Sequence, residues 1–256
     1  NASYVKNEIK NLGNQTGYID KESLPTLGTV SRNQNGYPIG YFFGYKAIGV
    51  FQTQEEIDNY ISPATGKPIQ PNAVPGDTKF EDLNGDGVIS DDNEDRTMIG
   101  KPNPDWMVGL TVAAAWNGFD LSAFFQGSFG ADVFDALRRY ELAAVNYTSD
   151  ALERWTGPGT SNSMPRIVLG DTPKNFRPST LLVHDASFLR LRNLQVGYTL
   201  PAQLTRKAYI QRLRFYASFD NLLTITGYKG MDPEIGSTMG IDKGVYPQAR
   251  VYICKL

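Results

Sequence analysis

The sequence is poor in the residues that carry most chemistry. Its 256 residues include one cysteine and one histidine, so no internal disulfide can form and catalytic triads, imidazole zinc sites and proton shuttles have almost nothing to work with. Cys254 lies in an apolar strand and is expected to be a small packed side chain. His184, followed by Asp185 at the start of a strand, reads as structural. No run of 18 apolar residues occurs, which excludes a transmembrane helix, and residues 1–10 hold no basic region followed by an apolar stretch of the signal-peptide kind. The net charge is −2 and no basic cluster is present, so nothing would track phosphates and nucleic acid is not an expected partner. Asp91 and Asp92 are adjacent on a loop and cannot keep the fixed separation that glycoside hydrolysis needs. Glycines 36, 40 and 44 lack the spacing and lysine of a phosphate loop and read as turn glycines. The chain is not expected to be an enzyme.

Aromatics, at 12% of the chain, glycine and proline are plentiful instead, as in proteins made of many strands joined by structured loops. From Trp106 to Phe129 the chain reads as one long hairpin about Asn117-Gly118, a pair that supplies the φ > 0 positions of a tight turn and sets Trp116 opposite Phe119. One face then holds Trp106, Val108, Leu110, Val112, Ala114 and Trp116 against Phe119, Leu121, Ala123, Phe125, Gly127 and Phe129. This row is uncharged and ends in aromatic rings. At about 3.3 Å per residue and a tilt near 40°, Trp106 and Trp116 lie roughly 25 Å apart along a barrel axis, the height of the apolar band of an outer-membrane barrel. Trp106, Leu110, Val112, Trp116, Phe119, Leu121 and Phe125 are therefore expected to face lipid, and Thr111, Ser122 and Gln126 the lumen. A soluble β-sandwich also alternates apolar and polar residues, but its strands average about 5–6 residues. The alternative reading is a secreted calcium-binding β-sandwich that binds glycans.

Further strands are expected at 194–200, 213–219 and 251–256, with a weaker one from Ser3 to Leu12, giving about six. Their connections alternate strictly between short, at 117–118 and 201–212, and long, at 13–104, 130–187 and 227–247. That asymmetry is the one between periplasmic turns and extracellular loops of outer-membrane barrels. Six strands cannot close around a large lumen, and an open edge is forbidden in lipid, so the chain is expected to belong to a larger barrel. Tyr140 and Trp155, in the second long connection, could stack on sugar rings or touch peptide, but packing within the loop explains them as well.

The sharpest local motif is Asp82-Leu83-Asn84-Gly85-Asp86-Gly87-Val88-Ile89-Ser90, the first nine positions of an EF-hand-type loop. Side-chain oxygens of Asp82, Asn84 and Asp86 and the carbonyl of Val88 can wrap one side of Ca²⁺, with a glycine at the sharp turn. Asn93 stands where the closing glutamate is usual, so Asp95, with Asp92 as substitute, is expected to close the site within 82–95. The expected role is structural.

These residues form an ordered series that resembles the C-terminal region of SusC/RagA-type TonB-dependent transporters. The series begins with Pro75-Gly76-Asp77, the 82–89 loop, Asp95-Arg96-Thr97, Ile99-Gly100 and Pro102-Asn103-Pro104-Asp105. It continues through Gly118-Phe119-Asp120-Leu121, Phe124-Phe125-Gln126-Gly127, Asp150, Arg154-Trp155 and Pro165-Arg166. It ends with 185–193, Gly197-Tyr198-Thr199-Leu200-Pro201, Asn221-Leu222-Leu223-Thr224, Asp232-Pro233-Glu234, Tyr246-Pro247-Gln248 and Arg250. The resemblance implies an all-β fold, the last six or so strands of a large antiparallel transmembrane barrel with long extracellular loops in the outer membrane of a Gram-negative, Bacteroidota-like cell. It further implies import of oligosaccharides or peptides, energy from TonB through a region outside these residues, and a SusD-like surface lipoprotein as partner. The family's plug domain and TonB box have no counterpart in residues 1–256. Two departures stand out: the acidic loop between Ser90 and Asp95 is about two residues longer than usual, and the family's terminal phenylalanine is not reached at Leu256.

Overall fold

The computed structural model describes residues 1–255 except 92, 139, 141, 143–145 and 236–238. Its organising element is one antiparallel meander of six strands: β1 (Ala2–Tyr4), β2 (Trp106–Trp116), β3 (Phe119–Phe129), β4 (Phe188–Thr199), β5 (Arg214–Thr226) and β6 (Val251–Lys255), each paired with its neighbour in chain order. Asn117 and Gly118 take φ of 47° and 86°, so the turn has both central residues left-handed, matching the strand twist. The expected hairpin register holds at every pair from Trp116↔Phe119 to Trp106↔Phe129.

The apolar row of the hairpin continues across the sheet. Leu121, Ala123 and Phe125 lie opposite Val196, Leu194 and Leu191 of β4, which lie opposite Ala217, Phe219 and Leu223 of β5. Aromatics gather at both ends: Phe119 packs on Tyr198 with ring centroids 4.4 Å apart, and Tyr4 on Trp106 at 4.9 Å. Among the described residues no second sheet covers this row, and Trp116 is 79% exposed. A sandwich would bury such a face. Cys254 lies on the same row, opposite Ala217, and is exposed rather than packed, because the short β6 forms the edge of the sheet and has nothing beyond it. The other face is polar, with ladders such as Ser122–Gln195–Ser218 and Gln126–Arg190–Thr224.

Strands β4 and β5 run longer than alternation suggests. At Arg192 one residue of β4, and at Asn221 and Leu222 two of β5, fall out of register. The extra residues form a bulge, Asn221 adopts φ of 52°, and the inside–outside pattern shifts by one residue across it. The N-terminal strand is shorter than expected: residues 9–12 leave the sheet because Ile9 bonds Tyr37 through its N–H and Gly36 through its carbonyl, while the Leu12 N–H donates to Asn35 Oδ1.

The buried core lies in the connections, not on the sheet. Residues 13–104, 130–187 and 227–247 all leave the same end of the meander and fold on one another. Leu24, Val30 and Phe42 from the first pack with Phe134, Ala136 and Leu182 from the second and Ile241 from the third. Asp132–Asp135 pairs antiparallel with Val183–Asp185 and parallel with Ile241–Asp242, stitching the second and third connections together. A four-stranded sheet of Tyr18–Asp20, Ser31–Gln34, Tyr41–Gly44 and Thr97–Gly100 organises the first. At the opposite end the 117–118 turn and the short 201–212 connection close the strands, with Thr199 N–H donating to the Gly118 carbonyl.

Candidate functional site

Three arrangements in or beside the loop layer concern function, and each is assembled from runs that are distant in sequence. The first is the acidic loop. Asp82 accepts the N–H groups of Gly85 and Gly87 on its two oxygens, Asn84 Oδ1 accepts from Asp86, and Asp86 Oδ1 from Val88. These successive Asx turns curl the backbone around the three side chains. Asn84 Nδ2 lies 3.0 Å from Asp86 Oδ2 and 2.9 Å from Glu94 Oε2. Glu94, which sequence reasoning passed over in favour of its neighbours, thus faces the turn. Asp95 is fully buried at the base of the loop, its oxygens taken by the N–H groups of Leu83 and Ser90. Asp92 lies outside the described residues. Among the described residues no three His, Cys, Asp or Glu side chains gather as a metal cluster; a loop of this type relies also on an amide and a carbonyl. The ligands the loop can offer, the side-chain oxygens of Asp82, Asn84 and Asp86 and the Val88 carbonyl, are all oxygen. That chemistry fits a hard cation such as Ca²⁺ rather than a transition metal.

The second arrangement is a network on the polar face of the sheet. Arg190 of β4 is buried, donating to Thr224 Oγ1 at 3.0 Å, to Asp232 Oδ1 at 2.5 Å and to Glu234 Oε2 at 3.0 Å. Arg192, at the bulge, holds the same Glu234 and Asn221 Oδ1, and Asn221 Nδ2 reaches the Ala249 carbonyl. Three separate motifs of the sequence, 188–193, 221–224 and 232–234, therefore form one clamp that fastens the third connection to the sheet. Burial raises the Asp232 carboxyl, but the N–H groups of Gln248 and Glu234 and the Arg190 guanidinium outweigh it, so the group sits below the ordinary carboxylate range. Nearer the tight turn Arg214 donates Nε to Asp120 at 3.0 Å and a second bond from Nη2, a bidentate pair across β4. Gly197 lies between them, where a Cβ would come within 2.7 Å of either partner.

The third is a cleft of about 970 Å³ between the three connections. Its charged wall contains Arg138, paired with Asp135 at 3.1 Å and with Asp150, and His184, whose Nε2 lies 3.7 Å from Asp135 Oδ2 and has no hydrogen-bond partner. Burial, and secondarily Arg138, pushes the imidazole below its ordinary value of 6.5. Tyr228 donates its hydroxyl to Asp242 at 2.7 Å, and burial raises its pKa. The two aromatics considered for ligand stacking are committed to packing. Tyr140 is buried with Phe176 and Met164, and Trp155 lies against Gly76 while its Nε1 donates to Gln52. Two other quoted motifs meet elsewhere in the loop layer: Asp77 accepts from Arg166 Nε at 2.6 Å.

No family model matches the chain. Individual proteins do. TonB-dependent receptor P3 of Formosa agariphila is 34% identical over 230 residues, 86% of this chain and 22% of its own length. TonB-dependent receptor SusC of Bacteroides thetaiotaomicron is 29% identical over 259 residues, all of this chain and 23% of its own. Among solved structures, the RagAB peptide importer in its open-open state superposes with a TM-score of 0.70 at 26% identity, covering 99% of this chain and 25% of that one. The chain is a relative of SusC/RagA-type TonB-dependent receptors. It spans about a quarter of their length, and its fold is an all-β fragment of a barrel protein.

Proposed function

We propose that this chain is the last part of the barrel of an outer-membrane TonB-dependent transporter, a non-enzymatic importer of oligosaccharides or peptides in a Gram-negative, Bacteroidota-like cell. The observation that carries the reading is the continuous uncharged row from Tyr4 to Tyr252, bounded by aromatic rings, on a chain related to such receptors over most of its length. In this reading the row meets lipid, and Thr111, Ser122, Gln126 and Gln195 line the lumen. The connections 13–104, 130–187 and 227–247 are extracellular, and 117–118 and 201–211 periplasmic. The clamp of Arg190 and Arg192 on Asp232 and Glu234 keeps the third loop against the wall while cargo passes. A SusD-like lipoprotein would cover the loop layer, and TonB would act through a region of the receptor beyond these residues.

The acidic loop, in the same reading, holds a Ca²⁺ on Asp82, Asn84, Asp86 and the Val88 carbonyl, with a closing carboxylate from Asp95 or Glu94. An extracellular site of this kind needs a Kd of only about 10⁻⁴–10⁻³ M. Its effect would be to fix the loop's shape.

Topology is tested by labelling whole cells that express the complete receptor with Cys254, and any cysteine outside these residues, replaced by serine. Leu152→Cys, 80% exposed in the second loop, should react with a membrane-impermeant maleimide, and Lys207→Cys should not. Labelling at 207 without labelling at 152 would reverse the assignment of the two ends.

A further inference from the structure

A second cavity, of about 330 Å³, lies beside the acidic loop and is lined by Tyr45, Asp91, Arg96, Lys174 and Arg177 among others. Its cations are arranged rather than scattered. The Arg177 guanidinium stands 4.7 Å from the Tyr45 ring and 5.0 Å from Phe80, with its side chain 14% exposed. Arg96 stacks on Phe43 at 4.3 Å and donates to the Phe43 carbonyl at 2.9 Å. Stacking and backbone bonds hold both planes where a flexible side chain would swing away. Arg177 Nη1 and Arg96 Nε are buried without a hydrogen-bond partner, which is unfavourable unless something accepts from them. Asp171, the other acid on the wall, already accepts the N–H groups of Asn175 and Phe176.

The carboxylate that approaches these cations is Asp91. It pairs with Lys174 Nζ, and its other oxygen is 3.9 Å from Arg177 Nη1, beyond hydrogen-bond range, while its side chain remains 67% exposed. An exposed pair of this kind is weak and screened by water.

We propose that this cavity is an oxyanion-binding site, with Arg96, Arg177 and Lys174 receiving a sulfate or carboxylate group and Asp91 occupying it as an internal competitor in its absence. The site is separate from the acidic loop's oxygen cradle and requires no particular cargo. Two sources share the chemistry: sulfate esters on a polysaccharide, and carboxylates of uronates or peptide termini.

The test uses the complete receptor in detergent at fixed ionic strength, titrated calorimetrically with methyl sulfate in one arm and acetate in the other. Wild type should show one saturable site for at least one anion, and the tighter of the two identifies the source. Asp91→Asn should tighten binding about two- to fivefold by removing the competitor. Lys174→Gln, on a half-exposed side chain whose loss leaves the packing intact, should weaken it by a similar factor or more, and Arg177→Gln should abolish it. Absence of saturable binding to either anion, or binding that none of the three substitutions moves, overturns the site.

Discussion

The six-stranded sheet and the loop layer have opposite relations to water. The sheet carries its largest apolar side chains on an uncovered face, with Trp116, Leu110 and Phe119 each more than half exposed. The loop layer, built from strands of two to four residues and a one-turn helix, encloses Val30, Phe42, Phe134 and Leu182 almost completely. In a soluble domain regular structure supplies the core and loops decorate it. Here the loops have the core and the regular structure lacks one, which fits the proposed reading of the sheet as barrel wall. In that reading the sheet meets lipid and neighbouring strands, whereas the loop layer encloses its own apolar side chains.

The largest effect that would break this contrast is loss of the loop core. Phe134→Ala, at the junction of all three connections, should cost about 3–5 kcal/mol and make the loops of the complete receptor protease-sensitive while the barrel keeps its heat-resistant migration on gels. Next, Val112→Arg should cost about 2–4 kcal/mol in urea unfolding from lipid vesicles and Thr111→Arg much less; equal costs would show that the two rows share one environment. Asp232→Asn removes the charge opposite the buried Arg190 and the oxygen that accepts the Gln248 N–H, and should cost about 1.5–3 kcal/mol, seen as faster hydrogen exchange over 227–250 with no change in the 106–129 hairpin.

The smallest effect is the one on pH. His184 has a folded-state pKa below 6.5, so the unfolded chain binds its proton first. The stability this group contributes is complete above about 6.5 and declines as pH falls through the depressed folded value. Asp135, Arg138, Asp150 and Lys229 face it with mixed sign. Loop-layer melting should therefore drop between pH 7 and 5, and His184→Gln should flatten that drop.

The contrast also explains what could be read from residues alone. The hairpin at 106–129 was legible pair by pair because one Asn-Gly turn fixes register and alternation then carries it for eleven residues per strand. Strands β4 and β5 were legible only beyond the bulge, since a single unpaired Arg192 puts Leu189 and Leu191 out of phase with Leu194 and Val196. The loop core was not legible: its strands are too short for periodicity, and its decisive pairing joins Phe134 to Ile241 in parallel across more than a hundred residues. In the acidic loop the turn at 82–88 followed from spacing, but Glu94 reaches Asn84 only through the backbone path after Ser90. The clamp was present in the sequence as three motifs, and nothing in their spacing said that they meet.

The central claim is that the two rows of one strand see different media. Single nitroxides placed at 107, 108, 110, 111, 112 and 113 of the complete receptor, reconstituted in lipid, report collision rates with oxygen and with a water-soluble nickel chelate. The account predicts a period of two: oxygen dominates at 108, 110 and 112, and nickel at 107, 111 and 113. Nickel-dominated collisions in both rows would contradict it.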